Sequence, residues 1–225
     1  QIRAENRKDL IPADDNISKA ITIFEKLINT DHDKDAAIYL IKAYYYKAQY
    51  YYQTYSDKTL YFDLAMTMSR EYINKYPNNV EFLYWHLANM SNWAKTVGVR
   101  SVTKMGAGEE FRQKAIDIIV MDPEYENGGG YFLLGAVYFT APYIPIISNW
   151  PDNTKAVKYF RKAVNTGNAT PLQSIYLAKA LIKEGDKNEA KDILTNLTNS
   201  KANQNNIIED LNYINEAKYL LQNIN

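Results

Sequence analysis

Side chains that could carry catalysis or bind a metal ion are few in this sequence. Its two histidines are His32, within the sequence DHDKD, and His86, beside Trp85. The carboxylates around His32 could recruit a metal ion, but acidic residues between two apolar runs are more typical of a solvated connection between helices. His86 is expected to pack within its helix. No nucleophile, base and acid can be assembled with supporting spacing, so we expect no enzymatic activity.

Three consecutive glycines, Gly128–Gly130, precede an apolar helical pattern. Such a loop could hold a phosphate at a helix N-terminus. Nucleotide loops, however, follow a strand and continue into Lys-Ser or Lys-Thr, and this one does neither. The acidic pairs Glu109/Glu110 and Glu124/Glu126 contribute charge without a recognisable partner set. We therefore expect no cofactor and no metal site.

The composition argues against several classes of protein. The chain has 225 residues, 26 basic and 26 acidic side chains, and no cysteine. A net charge of zero disfavours a nucleic-acid or anionic-membrane surface, and no disulfide or thiolate metal site can form. No apolar run reaches the roughly 18 residues of a membrane span. Because the chain begins at Gln1 and residues 1–10 are polar, we expect a mature or trimmed form whose export signal has been removed.

Almost the whole chain has the pattern of amphipathic helices separated by Asn, Asp, Gly and Pro. N-cap signals occur at Asp15 or Asn16, at Asn78 or Asn79, at Thr170 before Pro171, and at Asp186 with Glu189 in capping-box spacing. We expect helices over about 17–28, 35–55, 58–75, 79–95, 108–121 and 128–140, from about 153, 171 and 187, and over 205–222. The last helix is expected to cap an open helical stack.

Two residue sets show a repeating unit. One helix carries Tyr131, Leu134, Gly135 and Tyr138, and the next carries Ala156, Phe160 and Ala163. This spacing is typical of the tetratricopeptide repeat, a helical hairpin in which small residues let two helices cross closely. The small residue recurs at Ala43, Ala88, Gly135 and Ala178, at wider steps than the standard repeat of about 34 residues. We predict one all-α, tetratricopeptide-like helical-hairpin solenoid over residues 1–225, with about ten helices, a poorly ordered segment at 1–15 and a C-terminal capping helix.

The repeat register places the first helix of each hairpin on the concave face, with aromatic, amide and lysine side chains pointing inward. They are Tyr44 and Lys47 in the first hairpin, Trp85, Asn89, Asn92 and Trp93 in the second, Phe132 and Phe139 in the third, and Lys179 and Lys183 in the fourth. Lys and Asn can donate hydrogen bonds to a carboxylate while rings cover its apolar part. We therefore predict a groove for a small apolar or acidic ligand, or for a segment of a partner protein. The same indoles could instead fill space beside a neighbouring helix.

Two other segments are unusually aromatic or apolar. The sequence YYYKAQYYYQTY, residues 44–55, has tyrosines on every side of its helix, which fits either burial among neighbours or an interface. The sequence APYIPIISNWP, residues 141–151, is a loop that must pack on something because loops are usually polar. It is expected either to fold back over the third and fourth hairpins or to form a docking lip for a partner.

Four stretches carry a more specific likeness: LYWHLANMSNWAKTVGV, AIDIIVMDPEYENGGGYFLLGAVYFTAP, KAVKYFRKAVNTG and LAKALIKEGDKNEAKDIL. Over roughly residues 65–197 the chain resembles the T component of tripartite ATP-independent periplasmic transporters and related repeat proteins of Bacteroidetes. The best marks are Tyr84-Trp85, Asp122-Pro123 followed by Gly128-Gly129, and Leu134-Gly135. The sequence IPIISNWP departs from the glycine-rich turn of the transporter members.

The resemblance implies an all-helical periplasmic protein, often lipid-anchored, that oligomerises around a pore and associates with a substrate-binding component. It brings no catalytic residues. We therefore expect a non-enzymatic binding or scaffolding protein of the periplasm or outer cell envelope, with an accessory role in solute transport, no nucleic-acid partner, and membrane attachment only through a lipid anchor. The alternative is a structural interaction or homo-oligomerisation module without a small-molecule ligand.

Overall fold

The computed structural model of the protein describes residues 14–99, 102, 106–142 and 151–224. Within these ranges the chain forms ten α-helices and no strand, so the expected all-α class built from helical hairpins is confirmed. The chain divides into two compact units, Gln1–Val102 and Thr103–Asn225. The expectation of a single domain stays a prediction. The poorly ordered segment expected at 1–15 and most of the apolar loop at 141–151 lie outside the described residues.

The first unit has four α-helices that pack in chain order, each on the next. Apolar side chains from all four meet in one core that includes Ile17, Leu40, Tyr72 and Phe82. A π-helical turn, Lys47–Tyr51, directly follows the second helix, and the Tyr52 N–H donates to the Lys47 carbonyl at 3.2 Å. The α-helices are α1 (Asp14–Leu27), α2 (Asp33–Tyr46), α3 (Tyr55–Lys75) and α4 (Val80–Val97).

Polar side chains fix the helix starts in the first unit. Thr54 caps α3 by accepting a hydrogen bond from the Asp57 N–H, and Asn79 caps α4 by accepting one from the Phe82 N–H. Each satisfies one of the backbone donors that a helix N-terminus leaves without an intrahelical partner. The Asn79 cap is the one that the sequence predicts.

Asp33 ties the start of α2 to the end of α3. Its carboxylate accepts hydrogen bonds from the Asn29 N–H (2.8 Å), the Tyr72 hydroxyl (2.5 Å) and the Lys75 ammonium (2.6 Å). Burial acts to raise the pKa of this carboxyl, but the three donors together outweigh it and lower the pKa to about 2. The sequence DHDKD is therefore only partly the solvated connection that we expected, because Asp33 is buried while His32 is exposed.

The second unit has six α-helices, which also pack in chain order, and the last packs on both of its predecessors. A short 3₁₀ turn, Gln204–Asn206, leads into that last helix. The α-helices are α5 (Ala107–Met121), α6 (Tyr125–Thr140), α7 (Asn153–Val164), α8 (Pro171–Glu184), α9 (Lys187–Asn199) and α10 (Ile207–Asn223). These bounds agree with the sequence-based helices to within about three residues.

Glycine lets α6 and α7 approach closely. A Cβ atom at Gly135 would lie 2.7 Å from the Phe160 ring, well inside van der Waals contact. Phe160 and Ala163 are completely buried, and the ring of Tyr138 stacks on Tyr159 with centroids 5.7 Å apart. The predicted hairpin contact between small and large residues is thus confirmed in this unit.

A left-handed turn opens α6. Glu126, Asn127 and Gly128 have φ values of 48°, 56° and 77°, and the first two are not glycine. Gly128 needs this conformation and also the absence of a side chain, since a Cβ would lie 2.8 Å from Thr166. At Gly130 a Cβ would lie equally close to Ile118. Close packing therefore explains why these two positions are glycine, and phosphate binding is not needed to explain them.

The N-caps of the second unit follow the predictions at one position and not at another. Thr170 and Gln173 form a reciprocal capping box at the start of α8, and Asp152 caps α7. Asp186 makes no side-chain cap on α9, so the predicted capping box is wrong there. Glu189, its expected second member, instead forms a two-pronged ion pair with Arg161 of α7. That pair joins α9 to α7. A bidentate ion pair with arginine is stronger than a single hydrogen bond to the helix N-terminus, so Glu189 pairs with Arg161 and does not cap α9.

Candidate functional site

The predicted site residues Trp85 and Asn89 lie one turn apart on α4 and are enclosed. Trp85 is 8% exposed, and the Tyr45 ring meets its indole edge-on with centroids 5.4 Å apart. The Lys42 ammonium lies 5.4 Å from the centre of the Trp85 ring. Asn89 is completely buried, and its Nδ2 donates to the Trp85 carbonyl at 2.7 Å. Asn89 is therefore a core residue in this structure, whereas the sequence placed it on a groove surface.

Both residues nevertheless carry a buried polar atom without a partner. The Trp85 Nε1–H group and the Asn89 Oδ1 atom form no hydrogen bond with any described residue. A buried donor or acceptor in this condition costs about 1–3 kcal/mol, and such groups often mark a place for a water molecule or a ligand.

Asn92 and Trp93 continue α4 beyond this pair. Asn92 donates to the Ala88 carbonyl and to the Tyr45 hydroxyl, at 3.0 and 3.4 Å, and accepts from Lys95 at 3.0 Å. Trp93 is half-buried near Asp63. Partial burial raises the pKa of the Asp63 carboxyl, against the opposing effects of Arg70 and the Trp93 indole. The Asn92 amide is thus engaged by neighbours within the unit.

Lys47 and Tyr44, the first-hairpin candidates, belong to the core of the first unit. Lys47 is 6% exposed, and its ammonium donates to Ser18 Oγ at 2.8 Å. The same nitrogen lies 5.1–5.8 Å from the ring centres of Tyr51, Tyr52 and Tyr61, so the lysine sits among aromatic faces. Tyr44 donates to Glu25 at 2.9 Å, and burial followed by that carboxylate raises its pKa. The expected groove positions of these two residues are therefore corrected to core positions.

The four candidates from the second unit come together. They are linked by an aromatic cluster, defined as Phe132, Phe139, Phe160 and Tyr176. In five of the six ring pairs the ring centres lie 5.3–6.2 Å apart. Lys179 lies over the Tyr176 ring at 5.0 Å, and Lys183 lies over the Phe139 ring at 5.2 Å. Helices α6 and α8 thus present rings with two cations on them.

Solvent exposure increases across the aromatic cluster, from its buried base (Phe160 and Phe132) to its rim (Phe139 and Tyr176). Phe160 is completely buried and Phe132 is nearly so, whereas Phe139 and Tyr176 are half-buried. Lys179 is committed to Glu216 of α10 through a 2.5 Å ion pair. Lys183 is exposed and forms no ion pair with the residues that the structure describes. The rim therefore combines apolar ring surface with one cation that can receive an anion.

Sequence reasoning missed Tyr176 as a member of this set. Its spacing was a usable signal, because Tyr176, Lys179 and Lys183 follow each other at three and four residues and so share one face of α8. Burial raises the pKa of the Tyr176 phenol, with Glu216 acting in the same direction and Lys179 against it. Phe160 was predicted only as a packing residue, and it also forms the base of the cluster.

One of the two histidines is used in packing. His86 is completely buried, with its Nδ1 atom 2.8 Å from Ser69 Oγ. Ser69 Oγ also lies 3.0 Å from the Met66 carbonyl, so the hydroxyl joins His86 to the backbone of α3. Among the described residues, no three His, Asp or Glu side chains are grouped so that they could hold a metal ion.

Comparisons with known proteins add no assignment. The sequence matches no protein-family model, and no curated protein matches it. In the part of the chain that the structure describes, none of the helices combines the length and apolar character needed to cross a membrane.

Proposed function

We propose that the protein is a non-enzymatic binding protein whose ligand contacts the rim of the aromatic cluster. The observation that carries this proposal is the Lys183 ammonium, exposed and without an ion-pair partner among the described residues, 5.2 Å from the Phe139 ring. An exposed cation beside half-buried rings matches a ligand with an apolar body and a carboxylate. Burial of the ring surface would stabilise the body, and a charge-assisted hydrogen bond would stabilise the carboxylate.

The same rim suits a segment of a partner protein that ends in, or contains, an acidic side chain. Helical hairpins commonly use their first helices for this kind of contact. Phe132 and Phe139 lie on α6, and Lys179 and Lys183 lie on α8, the first helices of the two predicted hairpins in this unit. Both occupants share one chemistry, which is apolar contact together with a carboxylate.

We further propose a place in the periplasm or outer cell envelope, with a lipid anchor as the membrane attachment, and an accessory role in solute transport. The support is the sequence resemblance to the T component of tripartite transporters. Two of its marks, Gly128 and Gly135, occupy positions where a Cβ atom would collide with the neighbouring helix. Homo-oligomer formation belongs to the same proposal.

The binding proposal is tested with an amphipathic probe and its neutral counterpart. Decanoate, titrated calorimetrically, should bind more tightly than decanol, and Lys183→Gln should weaken decanoate about tenfold by removing a charge-assisted hydrogen bond. Lys191→Gln, at an exposed lysine on α9, is the matched control and should leave the affinity unchanged. Equal affinity of the wild type and Lys183→Gln would remove the rim as the site of the carboxylate.

A structural interaction module is the second candidate, favoured by exposed apolar side chains in the first unit. Leu60 and Leu64, one turn apart on α3, are 55% and 42% exposed. Contiguous apolar surface of this kind often marks a contact between proteins. Light scattering of the purified protein tests the candidate. A dimer or larger species that Leu60→Lys and Leu64→Lys dissociate would support it, and a monomer at every concentration would exclude homo-oligomerisation through this surface.

A further inference from the structure

A second concave feature of the second unit has both polar and apolar side chains in its lining and contains no member of the aromatic cluster. It is an open cavity of about 700 Å³ between the left-handed turn of α6, the start of α8, the end of α9 and the start of α10. This volume falls in the range of about 300–1,000 Å³ that is typical of small-molecule sites. Asparagine is the commonest residue type in its lining, which includes Asn127, Asn168, Asn196, Asn203 and Asn206.

Three of these amides are available to a ligand. The side chains of Asn127, Asn168 and Asn196 form no hydrogen bond with any described residue. Each amide offers two donor hydrogens and an acceptor oxygen. The cavity therefore presents donors and acceptors side by side, which is the pattern that a hydroxyl group complements because it also donates and accepts.

A buried carboxyl group completes this lining. Asp210 is 8% exposed and accepts one hydrogen bond, from the Asn203 N–H to Oδ2 at 2.8 Å. The Oδ1 atom receives none from the described residues, so a ligand hydroxyl can donate to it. Burial raises the pKa of the Asp210 carboxyl, with the Asn203 N–H acting in the opposite direction. A donor from a ligand would compensate part of that desolvation.

The walls of the cavity are held by hydrogen bonds. Gln173, a member of the Thr170 capping box, donates through Nε2 to the Asn127 carbonyl at 2.7 Å. Asn127 itself is fixed in the left-handed conformation with a φ of 56°. Non-glycine residues adopt this conformation at a cost and often do so at binding sites. The amide at this edge is thus attached to the rigid start of α8.

Charge at the cavity disfavours an ion as its occupant. The cavity carries both signs of charge: the Asp210 carboxyl and the C-terminal end of α9 oppose an anion, and Lys201 and the N-terminal ends of α8 and α10 oppose a cation. We propose that this cavity binds a neutral, hydroxyl-rich ligand of the size of a monosaccharide or disaccharide. Amide and carboxyl groups receive its hydroxyls, while Leu177, Ile193 and Leu197 contact its less polar face.

Saturation-transfer NMR tests this proposal on the whole chain. The probes are glucose, galactose, mannose, maltose and cellobiose, with gluconate, glucosamine and triglycine as charged and peptide counterparts. At least one neutral sugar should receive saturation from the protein, and the counterparts should receive less. Absence of transfer to every neutral sugar, or stronger transfer to triglycine or a charged probe, would overturn the proposal.

Matched double variants locate the signal. Asn168→Ala with Asn196→Ala should weaken the best sugar about tenfold, as expected when two ligand hydrogen bonds are lost. Asn165→Ala with Asn199→Ala changes exposed amides three residues away, outside the cavity lining, and should have no effect. Thermal unfolding followed by circular dichroism verifies that both variants fold. Equal sugar binding by the two double variants would refute the site, and Lys183→Gln should leave sugar binding unchanged because the rim of the aromatic cluster is separate.

Discussion

One lysine and one aspartate of the first unit differ from a lysine and an aspartate of the second in how fully their charges are satisfied. In the first unit, Lys47 is enclosed by three tyrosine rings and bonded to Ser18, and Asp33 receives three hydrogen bonds. In the second unit, Lys183 lies exposed on a single ring and Asp210 is desolvated with one hydrogen bond. Fully satisfied charges add to stability, whereas incompletely satisfied ones are available to a ligand. The contrast shows that a lysine on an aromatic ring stays accessible to a ligand only where it is exposed.

The largest loss of stability is expected from a substitution at Asp33. Asp33→Asn should lower the free energy of unfolding by about 3 kcal/mol at pH 7, because a carboxylate bonded to an ammonium, a phenol and a backbone N–H is lost. Since the folded pKa of about 2 lies below the ordinary value of 3.8, the wild type keeps this contribution above about pH 4 and loses it progressively toward pH 2. Urea denaturation between pH 7 and pH 3 measures the effect.

The control for Asp33 is Asp35→Asn, at an exposed carboxylate in the same helical turn. Its cost should stay below about 0.5 kcal/mol at pH 7. If both variants cost the same, Asp33 contributes only through the helix dipole and its network is unimportant for stability.

Lys47 and Lys183 offer the most direct contrast between the units. Lys47→Ala should cost about 2 kcal/mol, since it removes a buried stem and a hydrogen bond, and Lys47→Met should recover most of this by refilling the space. Lys183→Ala should change stability by less than about 0.5 kcal/mol. Chemical denaturation of the three variants measures the difference. A larger loss from Lys183→Ala than from Lys47→Ala would reverse the assignment of core and rim.

Asp210→Asn should have a smaller effect than Asp33→Asn or Lys47→Ala, and of the opposite sign. Its raised pKa means that the folded state favours the protonated form, so its ionisation reduces stability as pH rises above the ordinary value of 3.8. Asp210→Asn should therefore raise the free energy of unfolding by about 1 kcal/mol at pH 7 and change it little at pH 3. The amide oxygen can still accept from the Asn203 N–H. A loss of stability at both pH values would show that the ionised carboxylate is a structural partner.

The sequence predicts the hairpins better than it predicts which polar groups are enclosed. The apolar stripes, the caps at Asn79 and Thr170, and the contact between Gly135 and Phe160 all follow from local patterns. The burial of Lys47 does not, because it depends on Tyr61 of the next helix and Ser18 of the preceding one. The pairing of Glu189 with Arg161, 28 residues away, likewise has no local signal.

The candidate site shows the same limit. The positions of Phe132, Phe139, Lys179 and Lys183 follow from the repeat register, and the structure brings them together through Tyr176. The register predicts a groove-facing position for Asn89 as well, but the packing of the helices places its amide inside the core. The periodic pattern does not predict the cavity beside Asp210, because its asparagines come from the start of α6, the last turn of α9, and the connections from α7 to α8 and from α9 to α10.

The wide turn at Lys47–Tyr51 has a consequence for numbering. Its hydrogen bond spans five residues, where an α-helix spans four. The turn ends the helix, because Tyr52 has an extended backbone (φ −77°, ψ 142°) and α3 begins only at Tyr55. A helical register with constant spacing therefore describes this segment only as far as Tyr46, and an alignment to an ideal repeat should allow for the wider turn over Lys47–Tyr51.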